Sequence, residues 1–203
     1  MQRGPARSPA GIGSGQVVSQ RGTARRLYHD VLALAARTGD EALTRQMQAY
    51  GEPPYADIPY AYALVMSYYE ALYGPYTVPQ SYIETGERSN PGPYGILASE
   101  YNFVERVNVL RGLIDMFTVM YPQLQQIDFR RDVPRLDVPV YILDGGAELS
   151  SRRDLALAWF DQLEAPIKRI YTFDGAAHSV AFEQFQPFHR LMVATVLPET
   201  YAN

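Results

Sequence analysis

Hydrophobic spacing divides the chain into a helical part and a part that alternates strands with helices. Apolar residues recur at helical spacing from Thr23, and Gly39 ends that repeat. Thr23 and Asp40 are suited to cap the first two helices. A segment rich in Pro and Gly, 74–95, predicts a long irregular loop. The helices predicted in this part cover about 23–39, 40–48, 58–73 and 102–120.

The pattern changes after Arg131. The apolar run Val138–Leu143 is followed by Asp144-Gly145-Gly146, which is typical of a buried strand that ends in a turn. The order strand, helix, strand, helix predicts a parallel sheet with a right-handed crossover. The elements after the first strand are a helix over about 152–163, a strand over 167–173 and a last helix over 181–196.

Residues 1–22 show little periodicity, and we interpret residues 1–14 as an irregular start. The segment Gly11–Gly15 contains three glycines but fits neither the dinucleotide fingerprint nor the P-loop spacing. No nucleotide cofactor is therefore expected.

Composition narrows the function classes. The 203 residues suffice for about one domain, and the net charge of −4 gives no reason to expect nucleic-acid binding. The apolar stretches are only a few residues long, so no membrane helix is expected. The absence of cysteine excludes disulfides and a cysteine nucleophile and is consistent with a cytoplasmic protein.

His178 is the strongest candidate for chemistry, because it follows the second predicted strand and a histidine exchanges protons near neutral pH. Glu148 follows the first predicted strand, so neighbouring parallel strands would bring both residues to one edge of the sheet. Asp144 is an alternative acid partner, although it is also suited to cap a turn. We interpret Asp174 as structural.

The other two histidines, His29 and His189, lie in predicted helices and are interpreted as structural. Their spacing matches no ligand motif, so no metal site is expected. Eleven of the 16 tyrosines lie between Tyr50 and Tyr101. These rings either line a pocket or pack a helical layer, and the sequence leaves both readings open.

Several segments resemble the carboxyl-terminal part of an α/β-hydrolase, most closely the proline iminopeptidase-like branch. Val138–Gly145 followed by Glu148 resembles a late strand of that branch and the acid in the loop after it. Phe173–Ser179 with Phe182-Glu183 resembles the loop that carries its catalytic histidine. Gly15–Ser19 resembles the end of the core strand that leads into the helical cap of that branch. Tyr121–Leu124 and Ile127–Arg130 resemble the return from the cap to the core.

The resemblance implies an α/β fold in partial form, a helical cap followed by the last two parallel strands and helices of the hydrolase core. It assigns 1–22 to a disordered start with a remnant of a core strand, 23–130 to the cap and 131–203 to the core. It also implies that His178 is the catalytic base and that Glu148 is its acid partner.

One element of the family pattern is missing. No G-x-S-x-G elbow occurs, so the sequence contains no match to the serine nucleophile, and the chain is expected to begin after it. Without the preceding strands, the inner edge of the two late strands would be unpaired. We therefore expect low stability, self-association through that edge, or pairing with another chain.

The resemblance implies a hydrolase acting on a small ester or an amide or peptide bond, with N-terminal proline peptidase activity as one version. Acids of the cap bind the substrate's amino group in that branch, but none of Glu52, Glu70, Glu84 and Glu100 matches that role. The alternatives are an inactive remnant and one half of a split enzyme that acts as a binding module. Relatives with an Asp nucleophile also stay open, because that residue too would lie upstream.

Overall fold

A three-stranded parallel sheet forms the centre of the α/β part. Its strands are β1 (Gly11–Ser14), β2 (Val140–Gly145) and β3 (Lys168–Phe173), in the order β1-β2-β3. β2 lies in the middle and is buried at every position, as a strand covered on both faces must be. This computed structural model describes residues 8–56, 58–80 and 101–201.

Strand β1 corrects the prediction of an irregular start through residue 14. Gly11 pairs with Val140 and Ser14 with Leu143, in parallel register. Two glycines in four residues give this segment a weak strand propensity, and it is the ladder with β2 that makes it a strand. The open inner edge therefore belongs to β1 and not to β2, and no other described strand pairs with it.

The helices between residues 20 and 124, which we call the cap helices, pack around one hydrophobic cluster. The first helix begins three residues before its predicted start, because the Ser19 hydroxyl accepts a hydrogen bond from the Gly22 N–H at 3.2 Å and replaces Thr23 as the cap. Asp40 caps the second helix as predicted, by accepting from the Leu43 N–H at 2.9 Å. The helices are α1 (Gln20–Thr38), α2 (Glu41–Tyr50), α3 (Ile58–Met66), α4 (Tyr69–Leu72) and α5 (Phe103–Leu124).

Two cap predictions need adjustment. The helix predicted over 58–73 is divided into α3 and α4 by a turn at 67–68, and α5 continues four residues beyond 120. Residues 74–79 of the predicted loop are irregular, whereas 81–95 lie outside the described residues. Leu27, Val31 and Met47 are fully buried at the centre of the cap cluster.

Helices cover both faces of the sheet. Val140 and Ile142 pack with Leu155 and Trp159 on one face, while Leu143 packs with Val180 on the other. The predicted last helix is interrupted at 184 and extends beyond 196, with a π-helical stretch over 192–196. The helices of this part are α6 (Phe129–Asp132), α7 (Ser150–Gln162), α8 (Val180–Glu183), α9 (Phe185–Leu191) and α10 (Leu197–Tyr201). Within the described ranges, no helix has the length and apolarity to cross a bilayer.

Candidate active site

Two loops meet at the carboxyl ends of β2 and β3. The Ala147 N–H donates to the Ala176 carbonyl at 3.0 Å, and the Gly146 N–H donates to the Phe173 carbonyl at 2.9 Å. A side chain at Gly145 would place its Cβ 1.7 Å from the Ala177 carbonyl oxygen, so only glycine permits this approach. The loop after β2 and the loop after β3 are therefore held against each other, as the parallel topology predicts.

The meeting of these loops brings Glu148 to His178. Oε2 of Glu148 lies 2.5 Å from Nδ1 of His178, and the side chains are 4% and 43% exposed respectively. Oε1 of Glu148 accepts from the Leu149 N–H at 2.8 Å and from the Arg152 guanidinium at 3.3 Å. Both carboxylate oxygens are thus occupied, and the imidazole is held by one of its two nitrogens.

The Glu148 carboxylate determines which nitrogen of His178 carries the proton. Nη1 of Arg152 also lies 3.1 Å from Nδ1 of His178, but a guanidinium offers only donors and cannot accept the Nδ1 proton. The shorter contact with the Glu148 carboxylate therefore marks Nδ1 as the protonated nitrogen, which donates to Glu148. Nε2 then carries the lone pair, and no described residue forms a hydrogen bond with it.

The carboxylate form of Glu148 is favoured despite its burial. Burial raises the pKa of the Glu148 carboxyl, but the hydrogen bond and charge of His178, the Arg152 guanidinium and the Leu149 N–H outweigh that effect. The pKa consequently lies below its usual value. Glu148 also precedes the first turn of α7, where the helix dipole favours negative charge.

Asp144, the alternative acid, faces elsewhere. Its carboxylate accepts from Nε of Arg153 at 2.9 and 3.0 Å and from the Thr172 hydroxyl at 3.2 Å. Among the described contacts, none joins Asp144 to His178. Asp174 is exposed. The geometry thus selects Glu148 as the acid beside the histidine.

Glu183 forms a hydrogen bond with the backbone of the loop that carries His178. Its Oε2 accepts from the Ala177 N–H at 2.6 Å, and its Oε1 accepts from the Tyr76 hydroxyl at 3.1 Å. Burial raises the pKa of the Glu183 carboxyl, and these hydrogen bonds offset only part of that effect. No role for Glu183 was predicted, because its partner Tyr76 lies 107 residues away along the chain.

Gly15 lies against the imidazole ring of His178. It has a φ of +55°, and a Cβ at this position would lie 2.4 Å from Cε1 of His178. Both the left-handed conformation and the ring require glycine here. Gly15, the residue after β1, therefore helps to position the His178 ring.

Tyr69 and the residues that follow it contact Arg152 and the loop after β2, which carries Glu148. The Arg152 guanidinium lies 4.8 Å from the centroid of the Tyr69 ring, and the Gly74 N–H donates to the Ala147 carbonyl at 2.9 Å. Burial is the main reason that the pKa of Tyr73 rises to about 12. The contacts with Arg152 and Ala147 hold the segment from Tyr69 to Gly74 against the loop that follows β2.

A pocket of about 410 Å³ opens between the cap helices and α7. Both readings of the tyrosine cluster hold, since Tyr55 packs in the cap core while other rings line the pocket. The lining combines aromatic rings and methionines with two polar side chains, from Tyr62, Met66, Tyr69, Met116, Phe117, Met120, Tyr121, Leu124, Gln20 and Arg152.

The remaining candidates lie apart from this site. His29 is exposed on α1 and pairs with Glu52 at 3.2 Å, and His189 is exposed on α9. Glu70 is also exposed. In the described part of the chain, no group of acids and histidines is arranged to hold a metal ion. Glu84 and Glu100 lie outside the described residues.

The parallel sheet and the paired loops form part of an α/β-hydrolase fold. Over 92% of its length the chain is similar to the crystal structure of VinJ, with a TM-score of 0.50 and 15% identity. It is also similar to MGS-M2, an α/β-hydrolase enzyme from a Medee basin deep-sea metagenome library, with a TM-score of 0.47 and 14% identity over 90% of the chain. For proline iminopeptidase of Mycobacterium smegmatis the TM-score is 0.46, with 13% identity over 98% of the chain. No protein-family model and no curated protein sequence matches the chain.

The predicted fold class is confirmed by the parallel sheet topology and by the similarity to the VinJ structure. The chain covers 54%, 56% and 60% of the lengths of MGS-M2, VinJ and the iminopeptidase respectively. It therefore corresponds to a little over half of each of these structures.

Proposed function

We propose that the chain supplies the base and the acid of a serine-type hydrolase that cleaves ester or amide bonds. His178 is the base and Glu148 is its partner. The observation that carries the proposal is the 2.5 Å contact between Nδ1 of His178 and the buried Glu148 carboxylate, at the carboxyl ends of adjacent parallel strands.

The chemistry follows from the protonation of the pair. Nε2 of His178 removes the proton from a serine hydroxyl as its oxygen attacks the substrate carbonyl. The Glu148 carboxylate stabilises the imidazolium that forms, and Nε2 then returns the proton to the leaving alcohol or amine. A water molecule hydrolyses the acyl-enzyme by the same proton path, which regenerates the serine.

The serine is proposed to come from a segment that pairs with the open edge of β1. Two features support this placement. Gly15, directly after β1, contacts the His178 ring, so a strand beside β1 would end near that ring. The chain also corresponds to a little over half of the hydrolase structures it resembles.

Fluorophosphonate labelling tests this proposal. The chain alone should not react, whereas the chain produced together with the polypeptide encoded upstream of it should be labelled at one serine. His178→Ala should abolish the labelling, and the matched variant His189→Ala should not. Failure of the combined protein to label would favour the inactive remnant or the binding module, and labelling that survives His178→Ala would overturn the role of His178 as the base.

A further inference from the structure

One buried carboxylate holds the backbone on both sides of His178. Oε2 of Glu183 accepts from the Ala177 N–H at 2.6 Å, and the Ser179 N–H also favours the charged form of Glu183. Ala177 and Ser179 are the chain neighbours of His178. Glu183 is only 5% exposed, and hydrogen bonds to a carboxylate are roughly twice as strong as those between neutral groups. The position of the histidine therefore depends on Glu183.

The second oxygen of this carboxylate connects the histidine loop to the cap. Oε1 of Glu183 accepts from the hydroxyl of Tyr76, which lies between α4 and α5. The Tyr76 ring packs edge-on against the Tyr73 ring, with 6.3 Å between the ring centroids. Glu183 thus links the loop after β3 to a cap segment that is distant in sequence.

The same cap segment contacts the loop that carries the acid. The Gly74 N–H donates to the Ala147 carbonyl at 2.9 Å, and a Cβ on Gly74 would lie 3.2 Å from Cα of Ala147. Ala147 directly precedes Glu148 in the chain. Residues 73–76 therefore bridge the two loops, and a shift of this segment would move the loops relative to each other.

We infer that Glu183 and Tyr76 are positioning residues for His178, and that they make its contact with Glu148 depend on the placement of cap residues 73–76. Both act through the backbone of the histidine loop and not through the imidazole. Their catalytic meaning rests on the proposed hydrolase function. The coupling itself belongs to the folded chain, so it is measurable without a nucleophile or a substrate.

NMR titration of the isolated chain measures the link from Tyr76 to Glu183. Burial raises the pKa of the Glu183 carboxyl, and the Tyr76 hydroxyl opposes part of that effect. Tyr76→Phe should therefore raise this pKa further and increase the proton affinity of the carboxyl at least about threefold. The Ala177 amide signal of ¹⁵N-labelled protein should follow the titration. Glu183→Gln identifies which step belongs to Glu183, because that step should disappear.

Exchange of the imidazole Nδ1–H proton with water measures the link from Glu183 to His178. Tyr76→Phe and Glu183→Gln should each speed this exchange at least about threefold, because a loop that is held less firmly opens its hydrogen bond to the acid more often. The indole N–H of Trp159, which donates to the Val133 carbonyl at 2.9 Å, is the internal reference. A loss of global stability would speed both exchanges, whereas a positioning role speeds only that of His178.

Tyr60→Phe is the matched control, because it removes a hydroxyl from a cap tyrosine that is 67% exposed. It should change neither the Ala177 titration nor the exchange of the His178 proton. An unchanged titration midpoint in Tyr76→Phe would overturn the link between the cap and Glu183.

The positioning role has its own contrary result. It would be overturned if exchange of the His178 proton did not change in Tyr76→Phe and Glu183→Gln, or rose only as much as that of Trp159. Either failure would leave the contact between Glu148 and His178 in place. Absence of the Nδ1–H signal from the unmodified chain would instead contradict that contact, and with it the proposed function.

Discussion

Oε2 of Glu148 lies 2.5 Å from Nδ1 of His178, across 30 residues of sequence and between the loops that follow two adjacent strands. Arg152 holds the other oxygen of the carboxylate, which leaves Oε2 to the imidazole. A buried acid that is satisfied in this way both orients a histidine and stabilises its charged form.

Glu148→Gln should lower the free energy of unfolding by about 3 kcal/mol at neutral pH, because it leaves Arg152 buried without its anion. The pKa of the Glu148 carboxyl is lowered in the folded protein, so its stabilisation is present above the unfolded pKa. The difference from the unmodified chain should shrink as the pH falls through the folded pKa.

Urea unfolding followed by the fluorescence of Trp159, the only tryptophan, provides the measurement. Glu41→Gln is the matched control, because Glu41 forms an exposed pair with Arg45 on α2. A loss at Glu148 that is no larger than the loss at Glu41 would refute the assignment of a buried ion pair.

Glu183→Gln should show the opposite pH trend. Burial raises the pKa of the Glu183 carboxyl, so its contribution is complete below the unfolded pKa and is lost as the pH rises through the folded pKa. Glutamine does not titrate and still accepts from the Ala177 N–H. The stability of the unmodified chain relative to Glu183→Gln should therefore fall with rising pH. Urea unfolding of both proteins over a series of pH values measures this difference. A difference that grows with rising pH would contradict the prediction.

Gly15→Ala should be more destabilising than Gly39→Ala. Both glycines have positive φ, at 55° and 70°, so alanine costs about 1 kcal/mol of backbone strain at either site. Only at Gly15 does the new Cβ also overlap the His178 ring, whereas nothing lies within 4 Å at Gly39. The overlap with the ring should add about 1–3 kcal/mol to the loss of stability. Equal melting temperatures for the two variants would show that the His178 ring does not lie against Gly15.

Gly145→Ala should displace the histidine loop, because its Cβ would lie 1.7 Å from the Ala177 carbonyl oxygen. A cost of about 3 kcal/mol is expected, since the carbonyl that the new Cβ meets belongs to the backbone and cannot rotate away. Gly112→Ala in α5 meets no atom within 4 Å and should stabilise the chain by up to about 1 kcal/mol. Calorimetric unfolding of both variants checks this contrast, and a neutral Gly145→Ala would mean that the two loops do not meet as described.

The meeting of Glu148 and His178 was predictable because parallel topology places the carboxyl ends of adjacent strands on one edge. The choice between Glu148 and Asp144 was not, since it depends on which carboxylate Arg153 occupies. Sequence periodicity also missed β1, because Gly-Ile-Gly-Ser resembles a turn until β2 supplies its hydrogen bonds.

The contribution of the cap was the hardest part to predict. Tyr76 and Glu183 are linked across 107 residues, and no local pattern encodes such a contact. Arg152 follows Glu148 at a spacing of four residues, which predicts an ion pair near a helix start. The position of Arg152 between the Glu148–His178 pair and the cap helices depends on how those helices pack on α7, and it is visible only in the folded chain.

The imidazole proton of His178 gives the most direct test of the central claim, that Glu148 and not Asp144 holds the histidine. In ¹⁵N-labelled protein, the Nδ1–H proton in a short hydrogen bond to a carboxylate should resonate far downfield of the amide protons. We expect this signal in the unmodified chain and in Asp144→Asn, and we expect it to be absent from Glu148→Gln. A signal that survives Glu148→Gln, or that disappears in Asp144→Asn alone, would contradict the account.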